Sequence, residues 1–94
     1  MAHLIVEQTF EAALTDQAHA HIGERLDTCL DAHGARWVRS YLSTDRLRMV
    51  CVFEAADAES VRQSYRSAGV RFDRAWTAEL YARPDAAAGN TPGT

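Results

Sequence analysis

The sequence predicts an α+β domain: a four-stranded antiparallel sheet with two helices on one of its faces. Three observations carry this reading. Extended apolar patterns occur at four places and helical periodicity at two, in the order strand, helix, strand, strand, helix, strand. The two middle strands are joined by a short polar stretch suited to a hairpin. Both helical segments are amphipathic, so each has a single face to bury, and one face of the sheet takes both. This βαββαβ order is the ferredoxin-like plan. With 94 residues the chain makes one domain with a modest core. The second face of the sheet is then left for a partner or a ligand. The expected assembly is a homodimer of the dimeric α/β-barrel type, with two sheets facing each other.

Each element follows from local chemistry. His3–Phe10 contains three consecutive aliphatics, Leu4, Ile5 and Val6, as suits a central strand covered on both faces. The first helix spans Thr15–His33. Thr15 is its N-cap, Asp16 sits in the first turn, and Gly34 ends it. Ile22, Leu26, Cys29, Leu30 and His33 fall at helical spacing along it. Arg36–Leu42 is rich in strand formers, and Ser43–Arg46 supplies the turn. Arg48–Glu54 holds the continuous run Met49–Phe53, a second central strand. Asp57 caps a helix to Ala68 whose inner stripe is Ala58, Val61, Tyr65 and Ala68, and Gly69 closes it. Arg74–Tyr81 reads as the last strand. The domain is expected to end near residue 82. Residues 83–94 have nothing to bury and are expected to be disordered.

Composition narrows the function. Thirteen acidic against ten basic residues give a net charge of −3, which argues against a nucleic-acid partner. All ten basic residues are arginine. No run approaches the ~18 apolar residues that span a membrane, and the start of the chain has no signal-peptide pattern. The expected location is the cytoplasm. Cys29 and Cys51 both lie in apolar patterns with no CxxC pair, so two buried free thiols are expected. Phosphate-binding and nucleophile-elbow motifs are missing, and no organic cofactor is expected.

Strand alternation assigns faces. Leu4 and Val6 oppose Ile5 and Glu7; Met49, Cys51 and Phe53 oppose Val50, Val52 and Glu54. The wholly apolar sets suit the helix-covered face. A hairpin loop with an even number of residues pairs Tyr41 with Val50, Arg39 with Val52 and Trp37 with Glu54. The open face would then hold Glu7, Glu54, Trp37, Arg39 and Tyr41, unless a bulge intervenes. On that surface Trp37, Arg39 and Tyr41 would bind a ligand. Glu7, Glu54 and Tyr41 would be the catalytic groups of a cofactor-free isomerase, cyclase or oxygenase, with a carboxylate of raised pKa moving a proton.

The candidate metal ligands are His3, His19, His21 and His33. His19 and His21 are two apart on a helix and point to different sides. His33 suits the helix C-terminus. Imidazole with neighbouring carboxylates suits nickel, zinc or copper.

Three stretches resemble a known family: Leu4–Phe10; Trp37–Ser43 with Arg48–Ala55; and Asp57–Arg62 leading to Ala68-Gly69 and Phe72–Trp76. Over residues 3–81 the chain resembles the small bacterial proteins catalogued as domain of unknown function 4242. The resemblance implies a ferredoxin-like homodimer, and some family members are described as nickel-binding. It carries over no individual ligands. Function therefore stands open between a nickel or divalent-metal binding protein, which the resemblance favours, a small-molecule enzyme using the open face, and a non-catalytic dimeric interaction module.

Overall fold

In a computed structural model of the chain, residues 2–84 are described. Six elements follow in order: β1 (Ala2–Thr9), α1 (Asp16–Ala32), β2 (Arg36–Leu42), β3 (Arg48–Ala55), α2 (Ala58–Ala68) and β4 (Arg74–Ala78). The strands form one sheet in the order β2-β3-β1-β4, and every neighbouring pair is antiparallel. The two helices pack side by side on the same face. This is the βαββαβ, ferredoxin-like α+β fold that the order of periodic segments predicts. No helix among the described residues is long and apolar enough to cross a membrane.

The helix ends form where capping chemistry places them. The Thr15 side chain accepts a hydrogen bond from the Ala18 N–H, and Asp57 accepts one from the Ser60 N–H. Each satisfies a donor that the first helical turn leaves without a partner. Gly34 and Gly69 both take φ +69°, the left-handed conformation that ends a helix and that glycine adopts without strain. Gly69 also leaves room for Arg25: a Cβ there would lie 2.8 Å from its guanidinium nitrogen and push that side chain aside. That guanidinium donates to the carbonyls of Ala68 and Gly69. A cation from α1 thus sits on the negative end of the α2 dipole and ties the helices together.

The β2–β3 hairpin is tied to the start of α1 through Arg46. Its backbone carbonyl accepts from the Leu14 N–H at 2.9 Å. Its side chain donates to the Leu14 carbonyl and to Asp16. Arg46 does this from φ +64°, the one positive φ outside glycine among the described residues.

The core lies between the sheet and the helices. Leu4 and Val6 of β1, Phe53 and Ala55 of β3, and Val61 and Tyr65 of α2 are almost wholly buried. The Tyr65 ring meets Phe53 edge-on at 5.9 Å and Phe72 at 5.4 Å, the arrangement aromatic quadrupoles favour.

β4 is shorter than the expected Arg74–Tyr81. Its ladder pairs Glu7 with Arg74 through to His3 with Ala78. β1 starts at Ala2, so residues past Ala78 have almost no strand left to pair with. Of the tail expected to be disordered, residues 85–94 lie outside the described residues.

Candidate functional site

The open face of the sheet is built from three rungs of directly opposed residues, each crossing all four strands. The first is Tyr41, Val50, Glu7 and Arg74. The second is Arg39, Val52, Ile5 and Trp76. The third is Arg36, Glu54, His3 and Ala78. The centre is apolar, and Val50 and Trp76 remain exposed, Trp76 at 44%. Charged groups bound it. Glu7 accepts from the Trp76 indole N–H at 2.8 Å and from Arg74 at 3.2 Å. Glu54 accepts from Arg36, and its other oxygen lies 3.9 Å from His3 Nε2.

Four of the five residues expected on this face are there: Glu7, Glu54, Arg39 and Tyr41. Trp37 is not, and this corrects the face expected for it. The hairpin pairs Tyr41 with Val50 and Arg39 with Val52 as loop parity requires, but the register shifts between Trp37 and Arg39. Trp37 therefore stands opposite Phe53, and Arg36 takes the place opposite Glu54. One extra residue in a strand turns every side chain beyond it to the other face. Arg36, Arg74 and Trp76 are the open-face members that strand alternation alone did not identify. A signal for the last two was present: Arg74 and Trp76 alternate, and a strand beside β1 sets them against Glu7 and Ile5.

The electrostatics of Glu54 also correct an expectation. The hydrogen bond from Arg36 holds its carboxyl below the usual carboxylate range, with the charges of Arg36 and His3 adding to the effect. A proton shuttle needs the opposite shift. Glu54 is held as a carboxylate anion.

The four histidines do not converge. His3 is on the open face beside Glu54. His19 stands at the mouth of a hollow under α1. His21 lies near Gln17 and Glu24 on the outer side of α1. His33 caps α1, with its Nδ1 2.9 Å from the Cys29 carbonyl oxygen. Among the described residues no group of three or more His, Cys, Asp or Glu side chains is placed to hold a metal ion.

The bulge that displaces Trp37 helps to build the hollow under α1. Its volume is about 130 Å³, and its wall includes Ile22, Leu26, Leu30, Met49 and Phe53. A short polar chain enters it from β2. The Trp37 indole N–H donates to Ser40 Oγ at 2.9 Å, and Ser40 Oγ donates to Cys51 Sγ at 3.0 Å. Burial pushes the Cys51 thiol above its ordinary value, so it sits there as the uncharged thiol rather than as a thiolate nucleophile. Cys51 is buried and Cys29 half-buried, and both are free.

A family model described as nickel responsive protein SCO4226-like matches residues 4–77. The crystal structure of SCO4226 from Streptomyces coelicolor A3(2) superposes with a TM-score of 0.77 at 16% identity, covering 86% of this chain and 100% of that one. That likeness establishes the fold. No curated protein sequence matches the chain.

Proposed function

The chain belongs to the SCO4226-like family of nickel-responsive proteins, and from that premise we propose that it binds nickel, or a divalent cation of similar preference, as a homodimer. The observation that carries the proposal is the His3–Glu54 pair. Among the described residues it is the one histidine with a carboxylate within 4 Å, at 3.9 Å. A neutral imidazole and a carboxylate suit nickel. Neither group is deeply buried, so an ion reaches them without opening the core.

Two donors do not fill a nickel coordination shell, and a second copy of the pair supplies two more. The apolar centre of the open face, Ile5, Val50, Val52 and Trp76, favours burial against a like surface. Arg36 holds Glu54 Oε1 while His3 faces Oε2, so the cation takes Oε2 and Arg36 stays in place as the counterion that keeps the carboxylate ionised.

Calorimetric titration with nickel, combined with sedimentation, tests this. The expected ratio is one ion per two chains. His3→Ala lowers affinity by at least the roughly tenfold that losing even an outer-shell partner of a metal ligand costs, and His21→Ala leaves it unchanged. Equal binding by His3→Ala and the unaltered protein would overturn the assignment.

A further inference from the structure

The end of the open face nearest the β2–β3 turn carries a groove that nickel binding at His3 and Glu54 leaves unused. Its volume is about 320 Å³, at the small end of the ~300–1,000 Å³ range of small-molecule sites. β1 and β3 continue there one rung beyond Glu7 and Val50, with Thr9 opposite Arg48. Val50 and Arg48 of β3 lie along the groove. Tyr41 of β2 borders one side, and Glu7, Thr9 and Asp73 border the other.

Two opposite charges in this groove lack partners. The Arg48 guanidinium makes no hydrogen bond or ion pair among the described residues. Its charge reaches Asp45, but that carboxylate already accepts from Ser43 Oγ and the Leu47 N–H. Asp73 accepts from the Thr9 hydroxyl through Oδ2 at 3.0 Å, and its Oδ1 has no hydrogen bond among the described residues. Glu7 is taken on both oxygens, by Arg74 and Trp76. Thr9 stands between the two open charges, paired with Arg48 across the ladder and bonded to Asp73.

We propose that the groove binds a zwitterionic α-amino acid with an apolar side chain. Its carboxylate sits on Arg48, its ammonium on Asp73, and its side chain against Tyr41 and Val50. The open groups decide the class. A guanidinium takes a carboxylate through two parallel N–H bonds. A carboxylate with a vacant oxygen is an acceptor that a ligand ammonium fills. Tyr41 is 60% exposed opposite the exposed Val50, and that apolar surface gains from being covered. A ligand with a single charge would satisfy one group and leave the other. The groove and the His3–Glu54 pair lie at opposite ends of the open face, so the two sites load independently.

Two-dimensional amide NMR of the full chain in metal-free buffer, titrated with L-leucine, L-leucinamide and N-acetyl-L-leucine, tests the proposal. The expected result is saturable shifts at Thr9, Tyr41 and Arg48 with leucine. Leucinamide lacks the carboxylate and N-acetyl-leucine the ammonium. Each binds about fivefold more weakly, the value of one exposed charged contact. Arg48→Gln weakens leucine by that factor and leaves leucinamide unchanged. Asp73→Asn weakens leucine likewise and leaves N-acetyl-leucine unchanged. Shifts that fail to saturate, or an analogue that binds as tightly as leucine, would overturn the assignment of a zwitterion. So would unaltered leucine affinity in Arg48→Gln or in Asp73→Asn. If a variant does not fold, the comparison of the three ligands on the unaltered protein decides alone.

Discussion

Replacing Arg46 separates two opposing contributions at one position. Its side chain donates a charged, part-buried hydrogen bond to the Leu14 carbonyl, an interaction worth about 1.5–3 kcal/mol. The second contact is the ion pair with Asp16 at 2.6 Å. Asp16 is almost fully exposed, so the pair adds at most ~1 kcal/mol. Against these stands φ +64°, which disfavours any residue with a Cβ by about 1–2 kcal/mol. Arg46→Ala removes the bonds and keeps the strain, so it destabilises by about 2–3 kcal/mol. Arg46→Gly removes both. Its relief is partly offset by the extra freedom of glycine in the unfolded chain, which leaves it about 1 kcal/mol better than alanine. Urea unfolding reads this directly. With a slope of about 1–1.5 kcal/mol/M for a domain this small, Ala lowers the midpoint by about 2 M and Gly by about 1 M. Alanine equal to glycine would show that the left-handed turn stores no strain. Alanine within ~0.5 kcal/mol of arginine would show that the Arg46 side chain adds nothing to the backbone bond that ties the hairpin to Leu14.

Three further outcomes are expected. Tyr65→Phe removes a buried hydroxyl whose neighbour is the Cys51 thiol, a weak hydrogen-bond partner, so it changes stability by less than about 1 kcal/mol; a loss above ~1 kcal/mol in thermal unfolding would mean that the hydroxyl is strongly satisfied. Burial raises the Cys51 thiol above its ordinary 9.0 and the Tyr65 hydroxyl above its ordinary 10.0. Their contribution is therefore whole below those values and is lost as pH rises through them, because the unfolded chain ionises first. The urea midpoint should fall from about pH 9 upward, and Cys51→Ala should lose part of that slope; identical slopes would refute the assignment. Thiol labelling at neutral pH should modify half-buried Cys29 first and Cys51 only as the chain opens, and mass mapping of the labelled peptides checks the order.

Element order was legible because its signals are local. Thr15, Asp57, Gly34 and Gly69 each place a helix end through the backbone conformation or the hydrogen bond they provide within a turn. Loop parity set Tyr41 and Arg39 on the correct face for the same reason. Trp37 falls on the other face because the register shifts between Trp37 and Arg39, and nothing in Arg36-Trp-Val-Arg39 announces it. The span of β4 depends on how much of β1 remains to pair, a relation across some seventy positions of chain.

The sheet order has a consequence for synthesis. β1 is the earliest element of the six, yet it lies inside the sheet, and both of its neighbours, β3 and β4, come late. A nascent chain therefore carries Leu4-Ile-Val6 without a partner until β3 emerges, and with one edge bare until β4 follows. Contacts of such long sequence separation form slowly, and an apolar strand left waiting is open to pairing with another chain. The interval before residue 55 leaves the ribosome is when this protein depends most on its surroundings.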